Sequence, residues 1–105
     1  MDCGGVPNEV ENWNLERVGK ALADPRRFEI LELVASNPGI PCGEIVERVP
    51  LSQPTVSHHL KELGLAGLVE ARRDGPYTRF YANHAAMDGY LNELRSRLLR
   101  DAHVS

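Results

Sequence analysis

Residues 51–63, Leu51-Ser52-Gln53-Pro54-Thr55-Val56-Ser57-His58-His59-Leu60-Lys61-Glu62-Leu63, constrain the chain more than any other stretch. At about 100° per residue, Val56, Leu60 and Leu63 fall within ~60° of one another and define an aliphatic stripe. Pro54, His58 and Lys61 lie opposite, with Thr55 and Ser57 on the flanks, so the remaining surface carries only small or hydrogen-bonding groups. Ser52 is suited to cap such a helix, and Pro54 fits its first turn, where a missing N–H costs nothing. His59 sits ~60° from the stripe, which favours a packed or capping histidine over an exposed one. The result is a short amphipathic helix that needs a core built by its neighbours.

The surrounding punctuation supplies those neighbours. Residues 1–8 contain Gly and Pro without periodicity and read as a leader. From Glu9 to Ala23 a helical pattern runs through Leu15, Val18 and Leu22. Asp24-Pro25 restarts the chain as a second helix to about Ser36, because Asp caps an N-terminus and Pro opens one. Phe28, Ile30, Leu31, Leu33 and Val34 make it apolar on more than one side, which marks it as central. Asn37-Pro38-Gly39 ends it. A third helix spans about Cys42 to Val49, and Pro50-Leu51 turns into the helix described first, which ends near Gly64. Leu65 to Ala71 is expected to be extended. Asp74-Gly75-Pro76 is a hairpin tip, and Tyr77 to Tyr81 returns as a second strand. Asn83 can cap a last helix from His84 to about Arg100, leaving 101–105 as a tail.

The predicted order is ααααββα, a mainly α (α+β) winged helix-turn-helix domain over residues 9–100. A chain of 105 residues with 42% hydrophobic content can build one such core. No apolar run approaches the ~20 residues of a membrane span. With two cysteines, Cys3 and Cys42, there is no disulfide framework, so a reducing, cytoplasmic setting is expected.

A helix of this kind, preceded by a short helix and followed by an Arg-bearing hairpin, suits a groove of duplex DNA. Ser52, Gln53, Thr55, Ser57 and His58 occupy the half of the helix that reaches base edges, with Lys61 further along for phosphate. Arg72, Arg73 and Arg79 on the hairpin would touch phosphates or the minor groove. The net charge of −3 opposes nucleic-acid binding at first sight. Its distribution answers the objection, since Asp2, Glu9, Glu11 and Glu16 crowd an N-terminal stretch without Lys or Arg. The last helix repeats Met87, Tyr90, Leu91, Leu94 and Leu98 at 3/4 spacing. A domain this small covers only part of that stripe, so a homodimer is expected through the first and last helices, with Leu15 and Val18 at the same seam.

From Leu15 to Arg100 these residues resemble the ArsR/SmtB family of bacterial transcriptional repressors. The likeness rests on Asp24-Pro25-Arg26-Arg27, on Leu51 to Leu60, on Leu63…Gly67-Leu68-Val69 and on Gly75…Tyr77…Phe80-Tyr81. It implies a homodimer that represses by occupying a palindromic operator and leaves it on meeting an inducer, often a metal or metalloid ion or an oxidant. Some members of the family act without a ligand. The arsenic- and lead-sensing pattern Cys-x-Cys-x-x-Cys falls here on Pro41, Gly43 and Val46, with Cys42 between them. The zinc-sensing positions fall on Asn83-His84-Ala85-Ala86 and Arg95-Ser96-Arg97-Leu98 and lack the full donor set. No cofactor or metal is therefore expected. Cys3 with Cys42 is the candidate thiol pair, and His84 with Asp88 and Asp101 with His103 are surface pairs without an assigned role.

Nothing in the chain has the spacing of a nucleophile with its base, or of a phosphate loop, so an enzyme is not expected. The alternatives to an inducible repressor are a ligand-independent repressor and a winged-helix module that binds protein.

Overall fold

The structure is a computed structural model, and it describes residues 14–99. The expected leader 1–8, the start of the first helix at 9–13, the tail 101–105 and Cys3, Asp101 and His103 lie outside the described residues. Helix α1 (Leu15–Ala23) begins at Asn14, whose side chain accepts the N–H of Arg17 at 3.0 Å. Asp24 is extended, ends α1 and caps α2 (Pro25–Ser36), its Oδ1 accepting the N–H groups of Arg26 and Arg27 at 2.9 and 3.2 Å. Two donors that the first turn cannot pair internally are thereby satisfied, and Pro25 removes a third.

Asn37-Pro38-Gly39 ends α2 as expected and then does more. Gly39 adopts φ +86°, and its N–H donates to the Phe80 carbonyl at 2.9 Å. That turn delivers Ile40–Pro41 as a two-residue strand, β1, ahead of α3 (Cys42–Arg48) and α4 (Gln53–Leu65). The sheet is completed by β2 (Val69–Asp74) and β3 (Tyr77–Ala82), antiparallel in the order β1-β3-β2, before α5 (His84–Leu98). Among the described residues, three strands therefore stand where two were expected. Asn83 caps α5 by accepting from Ala86 at 3.1 Å.

The extended segment expected from Leu65 is corrected. Leu65 closes α4, Ala66 remains helical, and Gly67 takes φ +81°. The Leu68 N–H then reaches the Leu63 carbonyl at 2.9 Å and that of Gly67 the Gly64 carbonyl at 3.0 Å, a Schellman closure that needs glycine at its left-handed position. At the hairpin tip, Asp74 pairs with Tyr77 across a two-residue Gly75-Pro76 loop, and Gly75 has φ +60°, as a primed turn requires.

Ile30, Leu31 and Val34 bury α2 against α1, α4 and β3, which makes it the central helix. Phe28, expected in that core, is 43% exposed instead, because it lies on the side of α2 turned toward α5. Phe80 is fully buried at the centre of the sheet, opposite Ile40 on one side and Ala71 on the other. Among the described residues, no helix is long and apolar enough to cross a membrane.

Candidate nucleic-acid interface

Helix α4 sorts its residues as the periodicity requires. Val56, Leu60 and Leu63 are fully buried, whereas Ser52, Thr55, His58 and Lys61 are exposed and Gln53 and Ser57 half-buried. Ser52 Oγ accepts the N–H of Thr55 at 3.4 Å and lies 3.0 Å from its hydroxyl, so these two side chains spend part of their hydrogen-bonding capacity on the cap. The exposed polar face is thus led by His58 and Lys61, flanked by Thr55.

His59 is 7% exposed and faces inward. Its Nδ1 accepts from Arg27 Nε at 3.4 Å, and Arg27 also donates to the Lys20 carbonyl at 3.4 Å and lies 3.9 Å from Asp24. Burial lowers the His59 pKa below its ordinary value, the neighbouring Asp24 carboxylate opposing the shift in part. Asp24 is itself held below the usual carboxylate range, first by the Arg27 backbone N–H. Arg27 was not legible as a partner of this helix, since the two residues stand 32 positions apart.

The hairpin divides its arginines between two faces. Val69, Ala71, Thr78 and Phe80 are buried, so Glu70, Arg72, Asp74, Tyr77, Arg79 and Tyr81 alternate onto the outer face. Arg72 and Arg79 are directly opposite, a repulsive pairing that neighbouring acids relieve. Arg72 pairs with Glu70 at 3.5 Å and lies over the Tyr81 ring. Arg79 donates to Asp74 at 2.7 Å and to the Gly39 carbonyl at 3.0 Å. The bond to Asp74 raises the Arg79 pKa. Arg73 stands on the other face, donating to the Thr78 hydroxyl at 3.2 Å.

Of the residues expected at a dimer seam, Leu91 and Leu98 are 59% and 72% exposed, and Leu15, Met87, Tyr90 and Leu94 are partly so. Val18 is corrected: it is fully buried in the chain's own core, because that side of α1 packs on α2 and α4. Leu22, Phe28, Leu31, Met87, Tyr90 and Leu91 line an apolar cavity of about 250 Å3 beside that stripe. Cys42 is buried at the first position of α3. His84 and Asp88 are exposed on α5. Among the described residues, no three His, Cys, Asp or Glu side chains gather closely enough to share a metal ion.

Comparison with known proteins gives the same outline. Residues 22–72 match the family model of a helix-turn-helix domain. The arsenical resistance operon repressor of Staphylococcus xylosus is 38% identical over 79 residues, 75% of this chain and 74% of that protein. An ArsR-like transcriptional regulator from Rhodococcus sp. RHA1 superimposes with a TM-score of 0.76 at 28% identity, covering 86% of this chain and 85% of that one. A homodimeric winged helix-turn-helix DNA-binding domain from Mycobacterium bovis, described as a possible ArsR-family regulator, gives 0.66 at 30% identity, covering 87% and 82%. With its capped α4, its hairpin and relatives at this level of identity, the chain belongs to the ArsR/SmtB family of winged helix-turn-helix transcriptional regulators.

Proposed function

We propose that the chain is a cytoplasmic, homodimeric repressor that seats α4 in the major groove of an operator, with the β2–β3 hairpin on the flanking backbone. The observation that carries this reading is the division of α4, whose aliphatic stripe is sealed in the core while Thr55, His58 and Lys61 stand in solvent. Gln53 and Ser57 would read base edges, and Lys61 and Arg73 would neutralise phosphates. Ser52 and Thr55 shape the helix start, where backbone N–H groups favour a phosphate. Arg72 and Arg79 contribute positive potential from the outer face, their guanidinium groups already engaged by Glu70 and Asp74.

The exposed leucines of α5 and the adjoining cavity support pairing with a second copy through α5 and the Leu15 end of α1. A two-fold dimer spaces its two α4 helices about one DNA turn apart, ~34–36 Å, and so selects a palindrome. Release by a metal, metalloid or redox signal is the accompanying proposal, with Cys42 at the head of α3 as its candidate residue and Cys3 outside the described residues. No catalytic step forms part of this function.

Titrating a labelled duplex, selected by the protein from a random pool, at rising salt tests the reading. Binding should weaken linearly on a log–log scale, and Lys61→Ala and Arg73→Ala should each reduce the slope by about 1.8, one phosphate contact being lost from each subunit of the dimer. Gln53→Ala or Ser57→Ala should cost ~1–3 kcal/mol on the selected site and relax its sequence locally. Failure to select any duplex, or a slope indifferent to both cations, would sink the proposal.

A further inference from the structure

Helix α4 is held down by two different kinds of anchor. Val56, Leu60 and Leu63 grip the core through contacts that have no direction and do not respond to pH. His59 stands to one side of the stripe and is tied by a directional bond to Arg27, which is also bonded to the last turn of α1 at the Lys20 carbonyl and placed beside Asp24 at the α1–α2 joint. One guanidinium thus joins three helices, and its contact with α4 is directional. The adjacent residue, His58, belongs to the exposed face, its ring centroid 6.0 Å from that of His59.

We propose that His59 is a positioning residue for the recognition helix, and that a proton on its Nδ1 opens the Arg27 contact and lowers affinity for duplex DNA. The proposal rests on the DNA-binding reading above and names how that site is regulated. An imidazole that accepts at Nδ1 carries its single hydrogen on Nε2. Adding the second hydrogen turns the acceptor into a donor facing another donor and sets two cations against each other. The groups that act on the ring are Asp24 and Arg27 at the head of α2, and His58 and Glu62 on α4 itself. From α1, Glu16, Arg17 and Lys20 line a cleft shared with Glu62. On the other elements packed on α4, Arg48 pairs with Glu44 on α3 and Arg72 with Glu70 on β2, and the remaining charged groups are Glu47 on α3 and Arg73 and Asp74 on β2. Asp24 favours the proton on His59, and burial together with Arg27 opposes it.

The sign follows from linkage. Burial holds the folded imidazole below its ordinary value, so the unfolded chain takes this proton first as pH falls. The stability that His59 contributes is complete above the ordinary histidine range and is lost as pH falls through that range toward the folded value. A fall in affinity on acidification that is absent from His59→Asn therefore identifies His59 as its source.

The test is fluorescence anisotropy of the full chain on the selected duplex, from about pH 8 to about pH 5.5 at constant ionic strength, with circular dichroism confirming the fold at each point. Wild-type affinity should fall as pH drops below the imidazole pKa, with a limiting slope of about a hundredfold per pH unit, one linked proton coming from each subunit of the dimer. His59→Asn retains an amide oxygen near the Nδ1 position without a titrating group, and its affinity should stay flat or rise. A wild-type profile that is flat or rises overturns the proposal, as does an equal fall in His59→Asn. Should that variant not fold, NMR titration of the wild-type imidazoles decides: the His59 transition should move the amide resonances of Asp24 and Arg27, and a transition that leaves them unmoved overturns the proposal. A protein that selects no duplex at either pH refutes the DNA reading itself, and the NMR titration then still judges the Arg27 contact.

Discussion

Leu60→Ala and Lys61→Ala, adjacent substitutions on α4, should act on different properties of the protein. Leu60 is fully buried and Lys61 is exposed. Truncating Leu60 removes three carbons from the core, worth about 2.4 kcal/mol at ~0.8 kcal/mol each. The incompletely collapsed cavity raises the loss to about 3 kcal/mol, and the slightly better helix propensity of Ala returns only a few tenths. For a domain of this size that lowers the melting temperature by roughly 12–24 °C. Lys61→Ala should shift stability by no more than ~0.5 kcal/mol. Its effect should fall on DNA, as a weaker affinity and a shallower salt dependence. Thermal melts by circular dichroism at one fixed protein concentration, since dimerisation would otherwise shift them, are to be paired with anisotropy well below the lower melting point. A Leu60→Ala protein that melts within a few degrees of wild type would refute the burial argument. So would a Lys61→Ala protein that loses stability and keeps its DNA affinity.

Gly39→Ala should destabilise the fold by roughly 1–2 kcal/mol in urea titration, because φ +86° disfavours any side chain. The new Cβ would also stand 3.2 Å from the Tyr81 hydroxyl. Leu91→Asp with Leu98→Asp should leave the single-chain fold intact and give monomers in sedimentation velocity; a persistent dimer would move the seam elsewhere. Asp24→Asn should flatten the acid limb of the pH–stability profile. The carboxylate's contribution is present above its ordinary range and is lost as pH falls through its depressed folded value.

The features legible in the sequence were those whose cause is local. Asp24, Ser52 and Asn83 each cap the helix that follows, since a cap is a bond between near neighbours. The 3.6-residue period sorted Val56, Leu60 and Leu63 from Thr55, His58 and Lys61, and put His59 on the packed side. What escaped was non-local. Strand β1 is two residues long and carries a proline, too little pattern to mark a strand, and it exists because Phe80 lies beside it. One local signal was missed as well: the extended segment was started at Leu65, where Ala66 and Gly67 still close α4 in a Schellman turn. Val18 and Leu15 belong to one helical pattern, but only the tertiary arrangement shows that Val18 is spent inside the chain. The outer-face pairing of Arg79 with Asp74 joins the two strands and depends on hairpin register, which the tip alone does not fix.

Because Gly39 is bonded to Phe80 through its N–H and to Arg79 through its carbonyl, the segment leading into α3 is stitched to the middle of the hairpin. A load applied at the tip is carried along β3 into the very loop from which α3 and then α4 emerge. The hairpin and the start of α3 are consequently tied by one backbone stitch, so a displacement of the one is felt at the other.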